Sequence, residues 1–292
     1  MRIDFILNPV AGNGFALQTM EALSPEAARR GIDVQIHRTE APGHGTVLAE
    51  QLSGMPGTEL VVAVGGDGTC GEVAAGLAET GIPMGIIPAG TGNDFIKAVG
   101  IPKNPQEAFE FLLSHDPQAV DTGRVNDQFF LNVCGTGFDV TVLDYAEEEK
   151  KKHRGLTPYL LGLLKAISHY EPVEITLREG EQEVNGKFLV CAIANGQYIG
   201  GGIPICPAAN PTDGKLDLVL IQNIPRRSIP RYLPGLMMKK DLSFQITTHH
   251  QVEEVTLIGQ GLRINIDGEI KPMNRATFRI VPRSLMLICQ AG

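Results

Sequence analysis

An α/β half followed by a β-rich half is the architecture this chain predicts, and three observations carry the prediction. Up to about Asp121, short apolar runs alternate with amphipathic stretches of helical period. After about Thr122 the rhythm changes to strands and tight turns, and three apolar runs of the first half stop abruptly in glycine. At 292 residues the chain exceeds the usual single-domain size. Two domains are therefore expected, 1–122 and 123–292, with the last strands free to pack back toward the first.

In the first half, the apolar run 3–7 is followed by a helical pattern over 16–30, 34–36 by one over 44–53, 60–64 by one over 71–80, and 84–87 by 94–98 and 105–114. That alternation predicts a parallel sheet with helices on both faces. The runs 3–7, 60–64 and 84–87 lead straight into glycine-bearing loops, which places those loops at the carboxyl edge where such sheets bind ligands.

The second half predicts strands at 128–133, 173–178, 187–194, 216–221, 254–258, 262–266, 276–281 and 284–289, with hairpin turns at Asn126-Asp127 and Asn185-Gly186. A sandwich or flattened barrel follows. The helical exception is 158–170, where Leu160, Leu161, Leu163, Leu164 and Ile167 make a broad apolar face. The charge run 147–154 is self-compensating and reads as a solvated helix end.

A net charge of −8 argues against a nucleic-acid partner, because phosphate-backbone binding needs a basic surface. Cys70, Cys134, Cys191, Cys206 and Cys289 are scattered without CxxC spacing, which fits reduced thiols in a cytoplasmic protein. The start, 1–7, is too short and acidic for a signal peptide, and no apolar run approaches the roughly 20 residues of a spanning helix. Any action on a membrane is expected from its surface.

The loop Gly65-Gly66-Asp67-Gly68-Thr69 reads as a phosphate cradle: glycines let backbone N–H groups approach an anion, and the following helix adds partial positive charge. Asp67 would repel that phosphate unless a cation stood between them, which suggests a nucleotide with Mg²⁺. Asn8-Pro9-Val10-Ala11-Gly12-Asn13-Gly14 and Pro88-Ala89-Gly90-Thr91-Gly92-Asn93-Asp94 are each explicable alone as strand-to-helix turns. Three such loops in one sheet are harder to explain that way, since glycine weakens a connection unless close approach is required. None of the three loops contains the GxxxxGK[ST] lysine and the first lacks GxGxxG, so neither a Walker-type ATPase nor a typical dinucleotide domain is indicated.

Downstream, Asp267-Gly268 is a favoured two-residue hairpin turn, yet a kinase also needs a carboxylate beside the acceptor hydroxyl, and Asp267 or Glu269 is available for it. Asp213-Gly214-Lys215-Leu216-Asp217 is either a turn or a hard-cation site. The seven histidines, His249-His250 included, show no HExxH or HxH spacing and read as structural or surface residues.

Taken in order, Asn8-Pro9-Val10-Ala11-Gly12, Gly65-Gly66-Asp67-Gly68-Thr69, Pro88 to Phe95, Gly200-Gly201-Gly202, Asp213 to Asp217 and Asp267-Gly268-Glu269 resemble the motifs of the diacylglycerol kinase catalytic-domain family, above all its soluble bacterial lipid kinases. Sphingosine and ceramide kinases share that plan. The match runs from about Asn8 to Glu269. The resemblance implies an ATP- and Mg²⁺-dependent lipid kinase of phospholipid biosynthesis. It also implies a Rossmann-like three-layer α/β nucleotide domain, a C-terminal β-sandwich domain and an active site in the interdomain cleft. By the same resemblance Asn8, Pro9, Val10, Ala11, Gly12, Thr39, Gly65, Gly66, Asp67, Gly68, Thr69, Cys70, Gly71 and Thr91 would contact ATP. Asp67 and Asp94 would organise catalytic Mg²⁺, Asp267 would contribute, and Glu269 is the usual candidate proton acceptor, with the choice between the last two left open. A structural Mg²⁺ would map onto Asn210, Asp213 and Lys215.

Ala11 stands where serine is common in the family, and Cys70 where an apolar residue is frequent; neither removes a charge that the chemistry needs. Lipid contact is assigned either to 156–170 and to Ile229, Tyr232, Leu233, Leu236, Met237 and Met238 among basic residues, or these are core helix and solvated rim. The partner is a lipid at a membrane surface, diacylglycerol by default, and a homodimer is compatible with the sequence. NAD kinase, which shares Gly-Gly-Asp-Gly before a helix, and a non-catalytic nucleotide or lipid sensor are the alternatives.

Overall fold

A computed structural model describes residues 1–150, 152–153, 157–232 and 246–290. The chain divides into two units: Met1–Thr122, Asn210–Asp213 and Val281–Gly292 form the first, and Gly123–Ala209 and Gly214–Ile280 the second. Among the described residues no helix is long and apolar enough to cross a membrane.

The first unit alternates β1 (Arg2–Leu7), α1 (Phe15–Arg29), β2 (Asp33–Arg38), α2 (His44–Ser53), β3 (Val61–Gly65), α3 (Asp67–Leu77) and β4 (Met84–Pro88), then α4 (Phe95–Ala98), α5 (Pro105–Ser114) and β5 (Pro117–Val125), whose last residues belong to the second unit. Its parallel sheet has the order β4-β3-β1-β2. β3 and β4 are buried throughout, as continuous apolar runs covered on both faces should be. α1 turns Ala16, Thr19, Met20, Leu23 and Ala27 inward at helical spacing. α5 starts where Asn104 caps the Gln106 and Glu107 amides, with Pro105 as its first residue.

The second unit holds β6 (Gln128–Phe130), β7 (Val133–Gly137), α6 (Phe138–Lys150), α7 (Thr157–His169), β8 (Val173–Glu179), β9 (Gln182–Ala194), β10 (Tyr198–Ile199), β11 (Ile203–Pro204), β12 (Leu216–Gln222), β13 (Thr247–Val252), β14 (Glu254–Ile266) and β15 (Glu269–Ile288), the end of β15 belonging to the first unit. β9 pairs with β8 through its first half and with β7 through its second, and β14 divides its pairing between the same two strands. The four strands therefore wrap around one core, which includes Phe130, Leu177, Ile193, Leu257 and Phe278. A second core, with Phe138, Ala166, Tyr170 and Val219, lies where α6 and α7 meet β7, β9 and β12.

β15 closes the first unit as well. Leu287 pairs in parallel with Met84, Gln290 N–H donates to Val99 O at 3.0 Å, and the Thr122 and Ser284 hydroxyls share a 2.7 Å hydrogen bond.

Several expected elements shift. Asn185-Gly186 is no turn: Asn185 pairs with Thr176 and Gly186 with Ile175 inside the β8–β9 ladder, and the chain reverses at Gly180, whose φ is 55°. The expected strand 128–133 is two strands, β6 and β7, interrupted at Leu131-Asn132. The runs 254–258 and 262–266 are one strand with a register shift between Ile258 and Leu262, and 276–281 and 284–289 merge into β15. α3 begins at Asp67 rather than near residue 71, because the chain turns at Gly66 and the carboxylate takes the first helical turn. Of α6, only the charged end within 147–154 is read as helix from the sequence, and the helix starts at Phe138. On α7, Leu160 and Leu164 are each 57% exposed while Leu163 and Ile167 pack inward. Ile229 and Tyr232 also pack into that core, whereas 154–156 and the lipid-contact candidates Leu233, Leu236, Met237 and Met238 lie outside the described residues.

Candidate active site

From β1 the chain winds to β2 on one side, and then to β3 and β4 on the other. An open parallel sheet leaves a crevice at its carboxyl edge where the winding reverses, between β1 and β3 here. Asn8 ends β1 and ties the two loops: its Nδ2 donates to Thr69 Oγ1 at 3.2 Å while its Oδ1 accepts the Val10 amide at 3.2 Å. Gly12 has φ 58°, and a Cβ there would strike the Ala89 carbonyl oxygen. A Cβ on Gly90 would collide with Gly66 Cα. The loops after β1, β3 and β4 therefore meet main chain against main chain, which gathers backbone N–H groups at the sheet edge.

Asp67 is the first residue of α3, and its Oδ1 accepts the Asp94 amide at 2.7 Å and the Phe95 amide at 3.4 Å. Burial pushes its carboxyl up, the Asp94 charge adds to that, and the amides pull it part of the way back. Asn93, at φ 49°, accepts from Gly90 N–H at 3.2 Å and donates back to Gly90 O at 2.9 Å, which holds the third loop in place. Asp94 is buried, and its Oδ1 lies 2.6 Å from Lys97 Nζ, which also donates to Gly92 O at 3.2 Å. Two carboxylates joined through one amide form a donor set suited to a hard cation. Added Cβ atoms at Gly68 and Gly71 would meet open space, and the Cys70 side chain points into the core, its thiol raised by burial. Pro9 and Ala11 are half-buried, Val10 and Thr91 are exposed, and Thr39 N–H donates to Leu7 O at 2.9 Å.

In the second unit Asp267 occupies the two-residue turn between Ile266 and Glu269 at φ 48°. Its Oδ2 accepts the Leu131 amide at 2.6 Å, and its Oδ1 accepts those of Asn132 and Val133 at 3.0 Å each. The carboxylate thus fills the gap between β6 and β7. Three of its roughly four acceptor positions are thereby taken by backbone amides. Glu269 by contrast is 73% exposed in its side chain, with Lys271 Nζ at 3.4 Å. Asn210 and Asp213 lie in the first unit and Lys215 in the second. Asn210 Oδ1 accepts from Thr212 N–H at 3.1 Å, and Lys215 is ion-paired with Glu253.

Sequence reasoning missed three residues. Lys97 lies one helical step from Asp94, and that spacing was its only signal. Glu72 accepts the Gly43 amide at 2.8 Å and the Gly45 amide at 2.9 Å, capping α2 where no Ser, Asn or Asp stands. Asp139, in the first turn of α6, takes a 3.2 Å hydrogen bond from Asn265 Nδ2 on Oδ2, while its Oδ1 is sealed from solvent and has no hydrogen-bond partner among the described residues. Burial pushes its carboxyl up to about 6.

Residues 2–125 match the family described as the diacylglycerol kinase catalytic domain, and 132–289 match the YegS C-terminal NAD kinase beta sandwich-like domain. A diacylglycerol kinase of Mycobacterium tuberculosis (strain CDC 1551 / Oshkosh) is 30% identical over 98% of this chain and 94% of its own length. A protein of Pseudomonas putida KT2440 named "Probable lipid kinase YegS-like" is 34% identical over 89% and 86%. The crystal structure of a diacylglycerol kinase from Bacillus anthracis str. Sterne shares the fold, with a TM-score of 0.75 at 22% identity over 99% of this chain and 96% of that one. With both of its domains matched and relatives aligned over nearly its whole length, this chain belongs to the diacylglycerol kinase catalytic-domain family, in the branch that holds the YegS-like lipid kinases.

Proposed function

We propose that the protein is an ATP- and Mg²⁺-dependent lipid kinase that transfers the γ-phosphoryl group of ATP to a lipid hydroxyl, diacylglycerol or a related lipid being the acceptor. The observation that carries this reading is Asp67, a carboxylate in the first turn of α3, bonded to the Asp94 amide among loops that close main chain against main chain at Gly12 and Gly90. The amides around Asn8, Gly12, Gly65, Gly66 and Gly68 would bind the phosphates, and Asn93 keeps that cradle rigid. Asp67 and Asp94 would hold Mg²⁺, which when bound neutralises phosphate charge as it shifts during transfer. Lys97, bonded to Asp94, balances that acid and holds its orientation. Glu269, exposed and lightly paired, is the better placed of the two turn acids to accept the hydroxyl proton; Asp267 shapes the turn that carries it. Asn210, Asp213 and Lys215 are proposed as the structural Mg²⁺ ligands. The proposed setting is the cytoplasmic face of a membrane, and the exposed leucines of α7 support surface contact.

Mixed micelles of individual lipids with Mg-ATP test this reading. Labelled phosphate is expected on a lipid alcohol, and no NADP is expected from NAD. Folded protein that phosphorylates no lipid of a broad panel would overturn it, and NADP formation would replace it with the NAD kinase reading.

A further inference from the structure

Outside the kinase machinery, the second unit brings together three side chains of metal-ligating type. Asp217 of β12 stands opposite Gln251 of β13, so His249, two residues away, is its diagonal neighbour on the same face of the ladder. His249 Nε2 lies 2.6 Å from Asp217 Oδ1 and 3.8 Å from Cys206 Sγ, and one ligand atom from each of the three residues falls within 4.8 Å of the others. Cys206 and Asp217 are buried, whereas the His249 ring reaches solvent from β13, at the end of the strand order.

We propose that Cys206, Asp217 and His249 form a three-ligand site for a borderline-soft divalent cation, zinc being the type, separate from the magnesium chemistry of the kinase reading. One sulfur, one imidazole nitrogen and one carboxylate oxygen form the mixed donor set that zinc accepts, leaving a fourth position open. Magnesium, which takes oxygen ligands in octahedral array, does not suit it. Tetrahedral coordination at zinc bond lengths separates nitrogen from sulfur by about 3.5 Å and nitrogen from oxygen by about 3.3 Å. The Cys206–His249 spacing therefore already fits, and His249 must withdraw from Asp217 by roughly 0.7 Å. An exposed ring on an outer strand has the freedom to do so.

Binding would convert the Cys206 thiol to a metal-bound thiolate with release of its proton. A plain His249–Asp217 ion pair beside a small apolar thiol would also account for the 2.6 Å contact, and metal titration separates the two readings.

The full-length protein, stripped of metal with a chelator, is titrated with Co²⁺ while sulfur-to-cobalt charge-transfer absorption is followed, and with Zn²⁺ against a chromophoric chelator. One equivalent is expected to bind with a thiolate band. Cys206→Ser should abolish the band, His249→Gln should weaken binding at least about tenfold, and Cys289→Ala should leave both unchanged. A wild-type protein without the band, or a band that survives in Cys206→Ser, overturns the proposal. Should Cys206→Ser fail to fold, His249→Gln at an exposed position decides: unchanged affinity would sink the site.

Discussion

Four carboxylates divide their labour according to what surrounds each one. Asp67 is half-buried, close to Asp94 and bonded to backbone amides, so removing its charge relieves repulsion while deleting a proposed cation ligand. Asp67→Asn is expected to lower lipid phosphorylation by about 10³-fold or more while leaving the melting temperature equal or higher. Asp267 and Glu269 should separate cleanly in paired assays. Asp267→Asn loses charge-assisted bonds to three amides and should destabilise by about 2–4 kcal/mol in urea unfolding, whereas Glu269→Gln should lower turnover with an unchanged unfolding midpoint. Asp139 gives a pH signature. Its folded carboxyl titrates near 6, above its ordinary 3.8, so between those values the folded state binds more protons than the unfolded one. Stability from this group is therefore lost as pH rises from about 4 to 6. Asp139→Asn should remove that slope and stabilise at pH 7 by on the order of 2–3 kcal/mol, read as the difference between urea curves at pH 4 and pH 7. Asp67 and Asp94 were legible because glycines flank them. Asp139 was not, because what raises its carboxyl is burial in the folded chain, and the Asn265 bond that pulls it part of the way back comes from 126 residues away.

Elements followed their local periods wherever burial was simple. The strands and helices of the first unit stood out because a parallel sheet covered on both faces needs continuous apolar runs between amphipathic helices. α6 did not, since Glu147 to Lys150 break its apolar stripe and its stability comes from packing on α7. Asn185-Gly186 misled because the register is set by the turn at Gly180, and the β8–β9 ladder carries the Asn-Gly pair as ordinary strand. In β14 the shift between Ile258 and Leu262 lets one strand serve two partners, a role that no single-strand pattern announces. The broad apolar face read on α7 divides into packed Leu163 and Ile167 and exposed Leu160 and Leu164. If that exposed pair meets lipid, Leu160→Glu with Leu164→Glu should weaken sedimentation with anionic vesicles about tenfold or more, with circular dichroism unchanged and activity on a water-dispersed short-chain acceptor retained. Equal sedimentation of variant and parent would assign the two leucines to another role.

At the scale of the molecule, the sequence reading of an α/β half and a β-rich half matches the two domain families, but the chain does not assign residues to its units in one cut. Asn210–Asp213 and the end of β15 belong with the first 122 residues, and nothing local in 281–288 marks those residues as partners of β4. A fragment of residues 1–122 should therefore be less stable than the same unit in the whole chain, because Met84 loses its neighbour Leu287, Val99 its donor from Gln290, and Thr122 its bond to Ser284. Limited proteolysis should cut the isolated fragment within β4 or β5 under conditions that leave the intact protein whole. During synthesis, the nucleotide-binding half would leave the ribosome first yet wait unfinished for its closing strand. The ATP site proposed above would then be complete only after the codons for β15 had been read, so a truncated translation product would carry all three glycine loops and still lack a stable cradle.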